Sequence, residues 1–138
     1  MNRLPALLLA LCLGACATAS KKSNVETLQP TVERFHQLIR WKDFRSAGAL
    51  IVPEKRAAFS KARTELHDDR DLSITDYEIE EVEFSEDGLR ATVHSRIQWM
   101  RLPSASEQSD VVTSEFVFQG GRWLLERQVE GPFADELP

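Results

Sequence analysis

The sequence predicts an α+β fold in which N-terminal helices pack on a curved, four-stranded antiparallel sheet. Three observations predict it. Apolar residues recur at helical spacing as far as Leu66, and at period two after Leu72. Glycine-containing turns at 85–88 and 120–121 punctuate the period-two half. All the helical segments precede all the strand segments, which is the order of a layered α+β domain rather than of alternating βαβ units.

The first helix is expected from Thr27 to Trp41. Leu28, Val32, Phe35 and Ile39 follow 4, 3, 4 spacing, Leu38 widens the stripe, and Glu33, Arg34, Gln37 and Arg40 face water. With Thr27 as N-cap, Pro30 falls in the first turn, where no N–H is needed. Asp43 caps a short second helix carrying Phe44, Ala47, Leu50 and Ile51. Pro53 ends it and suits the first position of a third helix, which is expected to bury Ala58, Phe59, Ala62 and Leu66. The run His67-Asp68-Asp69-Arg70-Asp71 reads as a solvated charged turn; His67 with the three aspartates lacks the ligand spacing of a metal site.

The strands are expected at Ile74–Phe84, Leu89–Leu102, Val111–Gln119 and Arg122–Val129. Tyr77 and Ile79 share one side of the first strand, but Val82 and Phe84 change parity, which implies a bulge near Glu80 and Glu81. In the second strand Ala91, Val93, Ser95, Ile97 and Trp99 alternate with Thr92, His94, Arg96 and Gln98. Phe116 and Phe118 lead the third strand, and Trp123 and Leu125 the fourth. The closing GPFADELP is expected to be loose beyond Phe133.

The chain has 138 residues, the size of one domain, with 42% apolar and 28% charged residues. A formal charge of −5 argues against general nucleic-acid binding, which needs a basic face. Both cysteines, Cys12 and Cys16, lie at the N-terminus, so the fold must rest on its apolar core rather than on disulfides. Arg3 followed by the apolar stretch from Leu4 to Leu13 has the form of a signal peptide, and the stretch is too short to span a bilayer. An ordinary secretory signal cut near Ala17 or Ala19 is one reading. The other rests on Leu13-Gly14-Ala15-Cys16, which resembles the bacterial lipobox. That resemblance implies cleavage before Cys16 and acylation of its sulfur and new N-terminus. It divides the chain into a signal peptide (1–15), a lipidated tether (16–26), the folded domain (27–133) and a tail (134–138). Ala17 after the lipidated cysteine implies export to the outer membrane, with the domain in the periplasm. Two or three acyl chains give stable anchoring.

The order of elements resembles the nuclear transport factor 2-like superfamily, an α+β cone shared with ketosteroid isomerases and polyketide cyclases. The resemblance is carried by Phe35 through Phe44 with its Trp41-Lys42-Asp43-Phe44 turn, by Tyr77-Glu78-Ile79, by Gly88 through Val93, and by Gly120-Gly121-Arg122-Trp123-Leu124-Leu125. It implies a sheet curled around the first helix, with a pocket between sheet and helices. A cystatin-like one-helix domain, or another small α+β lipoprotein, is the competing assignment.

Such a pocket would be lined by Tyr77, Ser95, Trp99, Phe116, Phe118 and Trp123. The isomerase branch needs a carboxylate base and an acidic oxyanion partner in its cavity. No such pair falls on the inward face, since Asp76 and Glu78 alternate outward. Ser85, Ser95 and Ser114 lack the context of a nucleophile elbow, and Gly120-Gly121 joins two strands rather than cradling a phosphate at a helix start. The expectation is therefore no catalytic residue, no metal and no cofactor. The domain would bind a small apolar ligand or an envelope protein, with an isomerase- or cyclase-type enzyme as the alternative. On the opposite sheet face, His94, Arg96, Glu115, Leu124 and Glu126 form either a set of cross-strand charge pairs or a homodimer or partner surface, to which Val117 and Met100 add apolar area.

Overall fold

A computed structural model describes residues 15–138, with side chains from Asn24 onward. The expected signal peptide as far as Gly14 and the side chain of Cys16 lie outside the described residues. Four helices precede four strands: α1 (Ala15–Arg40), α2 (Phe44–Gly48), α3 (Pro53–Glu65), α4 (Asp68–Asp71), β1 (Leu72–Phe84), β2 (Arg90–Arg101), β3 (Gln108–Gln119) and β4 (Arg122–Val129). The strands form one antiparallel meander in the order β1-β2-β3-β4, as the period-two pattern predicts. The expected bulge falls between Ile79 and Glu81; two more lie between Ile74 and Asp76 and between Glu115 and Phe116. Bulges add twist and bend, so the strands curl toward the helices.

The turns follow local chemistry. Gly88 at φ 70°, and Gly120 and Gly121 at φ 60° and 79°, take the left-handed conformations that tight hairpins require. Asp43 accepts a 3.1 Å bond from the Ser46 amide and caps α2, and Pro53 occupies the first turn of α3.

The first helix departs from expectation. It begins at Ala15 rather than near Thr27 and passes straight through Pro30. Proline denies the Glu26 carbonyl its helical partner. Pro30 and Glu26 both face solvent, so water can serve that oxygen, and the Thr27 and Thr31 hydroxyls donate back to the Asn24 and Thr27 carbonyls. The segment expected as a tether therefore continues the helix that packs on the sheet.

The core lies between α1 and the concave sheet face. Leu28, Val32, Phe35, Leu38 and Ile39 of α1 meet Ala91, Val93, Ile97, Val112, Phe116, Trp123 and Leu125, all buried. The C-terminal segment belongs to this core and is not loose. Phe133 packs edge-on against Phe35, Phe44 and Phe59, and Leu137 is fully buried. The Gln128 amide donates to the Leu137 carbonyl at 2.8 Å, and Lys55 Nζ donates to the Pro138 oxygen at 2.7 Å. Apolar Phe133 and Leu137 thus complete the core, Phe133 against the rings of α1, α2 and α3 and Leu137 beside β4.

The two sheet edges are managed differently. The Val52 amide donates to the Leu125 carbonyl and the Leu125 amide to the Leu50 carbonyl, so the α2–α3 connection closes β4. Strand β1 carries Asp76, Glu78, Glu80, Glu81 and Glu83, all exposed; their charge and the two bulges discourage pairing with another strand.

Candidate functional site

The structure places the expected pocket residues in three settings. Phe116 and Trp123 are buried in the core, and Phe118 packs against the Trp123 ring at 5.3 Å. The Trp123 indole N–H donates to the Asn24 carbonyl at 2.7 Å. Trp99 sits half-buried near the end of β2, where its N–H donates to Asp110 at 2.7 Å and Arg101 lies over its ring. Ser95 is fully buried on the inward face and its hydroxyl has no partner. Two further buried polar residues share that face: Gln128 donates to the Ser114 hydroxyl at 3.0 Å.

Tyr77 lines the larger of two open concavities that these residues reach, and Phe116 borders a smaller one beside the β1–β2 hairpin. A groove of about 810 Å³ runs between the outer flank of α1 and the start of β1, walled by Tyr77, Ile74, Trp41, Arg34, Arg40 and Lys42 among others. That volume suits a small ligand. Each wall has a local cause. Arg34, Gln37 and Arg40 lie on the polar side of α1, facing away from its Leu28–Ile39 stripe. Lys42 takes a left-handed conformation at φ 62°, uncommon for a residue with a side chain. It ends the helix and leaves Trp41 76% exposed. Tyr77 stands on β1 between the two bulges and stacks on His36 of α1, ring centroids 4.5 Å apart and 14° from parallel.

Sequence reasoning assigned His36 no role. It is 2% exposed, its Nδ1 has no hydrogen-bond partner, and burial holds its pKa down to about 4. It is therefore neutral at pH 7 and acts as an aromatic brace behind Tyr77. The signal was available in the chain: position 36 follows Val32 by one helical turn and so belongs to the buried stripe.

On the convex face the charges pair with one another across strands. Arg96 meets Glu80 at 2.7 Å, Arg127 meets Glu115 at 3.1 Å, and Arg90 meets Glu126. His94 Nδ1 lies 3.1 Å from the Thr113 hydroxyl. Such exposed pairs contribute little individually. Leu124 does not belong to this face as an accessible residue; it is 3% exposed and part of the core cluster, because the α2–α3 connection packs along β4.

A second correction concerns the charged turn. Asp68 is fully buried, not solvated, and accepts from Arg101 Nε at 2.8 Å and Arg101 Nη2 at 3.1 Å. Arg63 pairs with the same carboxylate at 3.1 Å and with Glu136 at 2.7 Å, and its guanidinium lies over the rings of Phe133 and Phe59. This explains why α3 buries Phe59 and Arg63 while Ala58 and Leu66 stay exposed. Burial pulls Arg63 below the usual guanidinium range, and Glu136 and Asp68 oppose that pull. The cluster locks α3, α4, β2 and the C-terminal segment together and is structural.

Fold and groove together define an α+β protein with helices on one face of a curved antiparallel sheet and a lateral, aromatic-walled groove. Solved structures share this fold. A SEC-C motif-containing protein from Rhodopseudomonas palustris superimposes with a TM-score of 0.60 at 16% identity, over 83% of this chain and 91% of that one. A protein from Catenulispora acidiphila gives 0.58 at 13% identity, over 80% and 91%. A protein described as a polyketide cyclase from Xanthomonas campestris pv. campestris gives 0.46 at 15% identity, over 80% and 87%, which is too low a score to bear on function. No protein-family model matches the chain, and no curated relative matches it in sequence.

Proposed function

We propose that this protein is a membrane-anchored lipoprotein of the bacterial envelope whose α+β cone domain faces the periplasm and binds a small ligand without transforming it. The anchoring half of this reading rests on Leu13-Gly14-Ala15-Cys16. The binding half rests on one observation: the large inward side chains fill the core with one another, whereas the groove between α1 and β1 stays open and is walled by Tyr77 and Trp41. The isomerase- or cyclase-type alternative would need an acid or base at that groove. Glu33 borders the groove on the exposed side of α1, in solvent rather than in an apolar cavity, and His36 is neutral, buried and placed behind Tyr77.

Two measurements test the proposal. The wild-type protein should incorporate labelled palmitate and sediment with membranes, and Cys16→Ser should do neither. Normal processing and continued membrane association of Cys16→Ser would sink the anchor. Native mass spectrometry of protein extracted in mild detergent should show a bound small molecule that Tyr77→Ala loses. Identical spectra for the two would sink the groove.

A further inference from the structure

We infer that the groove between α1 and β1 takes an anionic amphiphile, with an acidic head held by Arg34, Arg40 and Lys42 and an apolar or aromatic body laid against Trp41 and Tyr77. This inference rests on the groove being a ligand site, as proposed above, and adds the chemistry of what it holds.

Charge carries the argument first. The chain is acidic overall at −5, yet this groove gathers three cations against one carboxylate, Glu33. The cations are largely uncommitted. Arg34 donates to the neutral Gln37 side chain at 3.1 Å, Lys42 reaches only the Arg70 carbonyl at 3.5 Å, and Arg40 makes no ion pair among the described residues. The nearby carboxylates are spoken for. Asp43 caps the Ser46 amide and Asp71 takes the Arg70 guanidinium, so Arg34 and Lys42 feel them only as longer-range attraction. By contrast, Arg56 donates to the Ile51 and Ala49 carbonyls, and Arg63, Arg90, Arg96, Arg101 and Arg127 all pair with carboxylates.

Shape and apolar surface carry it second. Among the described residues Trp41 is the most exposed of the large apolar side chains, and it sits between Arg40 and Lys42, so one short segment presents a ring flanked by two positive charges. Tyr77 forms the opposing wall and is held in place by its stack on His36, so the aromatic face is preorganised. The left-handed backbone at Lys42 is a conformation that costs energy, and such strain gathers at ligand clamps. A bare anion would leave the two rings unused, and a neutral apolar body would leave three cations unanswered.

The test uses the full mature chain in phosphatidylcholine nanodiscs. Its probes are 1-naphthyl phosphate, inorganic phosphate and the cationic counterpart 1-naphthylmethylamine, read by quenching of the Trp41 contribution to fluorescence, with Trp41→Phe as the blank. Saturable binding of naphthyl phosphate is expected, with inorganic phosphate and the amine each at least about tenfold weaker. Arg40→Gln and Lys42→Gln should each weaken naphthyl phosphate about tenfold, and Glu33→Gln should tighten it, with unchanged melting temperatures. Nanodiscs containing phosphatidylglycerol distinguish a lipid headgroup from a free ligand: competition with the probe identifies the lipid as the source, and its absence a soluble anion. Equal binding of the amine, or indifference to both Gln substitutions, overturns the anionic assignment while leaving the groove a ligand site. Failure of all three probes overturns the amphiphile outright, and a response to an acidic peptide in its place would assign the groove to a protein partner.

Discussion

The Trp123 indole N–H and the Asn24 carbonyl oxygen, 99 residues apart in the chain, form a buried 2.7 Å hydrogen bond that ties the early part of α1 to β4. The same oxygen also accepts from the Thr27 hydroxyl at 2.9 Å. The helix therefore has to be formed at Asn24, before Pro30, for the last strand to close the core. Trp123→Phe keeps most of the ring's burial but removes the bond across the fold, leaving the carbonyl its helical Leu28 amide and the Thr27 hydroxyl. We expect it to cost about 0.5–1.5 kcal/mol in urea denaturation. Asn24→Ala should leave the bond intact, because the acceptor is main chain. An equal loss in both variants would show that the Asn24 side chain, not this bond, is what matters.

The buried ion cluster predicts a ranking. Asp68 lies between Arg63 and Arg101, so Asp68→Asn leaves two guanidinium groups facing a neutral amide. Removing one partner of a buried pair costs about 3–5 kcal/mol. Glu136→Gln removes only the 2.7 Å partner of Arg63 and leaves Asp68 in place, so it should cost less, about 1.5–3 kcal/mol. Denaturant midpoints of the two variants check the order, and a Glu136→Gln protein less stable than Asp68→Asn would reverse it.

The parts of this fold legible in the sequence are those set by local pattern. The four strands, the bulge near Glu80, the Asp43 cap and the glycine hairpins follow from alternation and turn chemistry, each readable within a few residues. What was not legible depends on distant partners. Arg63 and Asp68 read as surface residues until Glu136 and Arg101 are brought beside them. The start of α1 is hidden because a proline ordinarily marks a boundary, and the Trp123 bond to Asn24 that rewards the longer helix is made at the other end of the chain. Of the candidate site, Tyr77 was legible from alternation. The groove was not, because it depends on how α1 lies along β1 and on the left-handed turn at Lys42.

Two glycines with similar backbone angles should respond differently to a methyl group. Gly120 at φ 60° has open space where a Cβ would sit, so Gly120→Ala carries only the left-handed penalty of about 1–2 kcal/mol. Gly131 at φ 83° would place its Cβ 2.6 Å from Val112 Cγ2, and Val112 is fully buried. Gly131→Ala therefore adds an overpacking cost of about 1–3 kcal/mol. Thermal unfolding of both variants checks this. The double variant Gly131→Ala/Val112→Ala should recover part of the steric loss, and no recovery would locate the problem in the backbone alone.

His36 makes the stability of the domain depend on pH in a defined window. Burial lowers its folded-state pKa from 6.5 to about 4, so the folded protein binds fewer protons than the unfolded chain between those values. The stability it contributes is complete above pH 6.5, declines as pH falls toward 4, and is flat below. At about 1.4 kcal/mol per unit the whole loss is about 3 kcal/mol. His36→Phe keeps a ring against Tyr77 and removes both the titrating group and the unpartnered Nδ1. It should match or exceed the wild type at pH 7 and lose less stability as pH falls through that window, the gap widening by about 3 kcal/mol on the same scale. Urea denaturation at closely spaced pH steps measures the difference. A constant gap across that range would mean that His36 protonates in the folded state as readily as in the unfolded chain, and that its ring is not the sealed brace behind Tyr77 that the stacking describes.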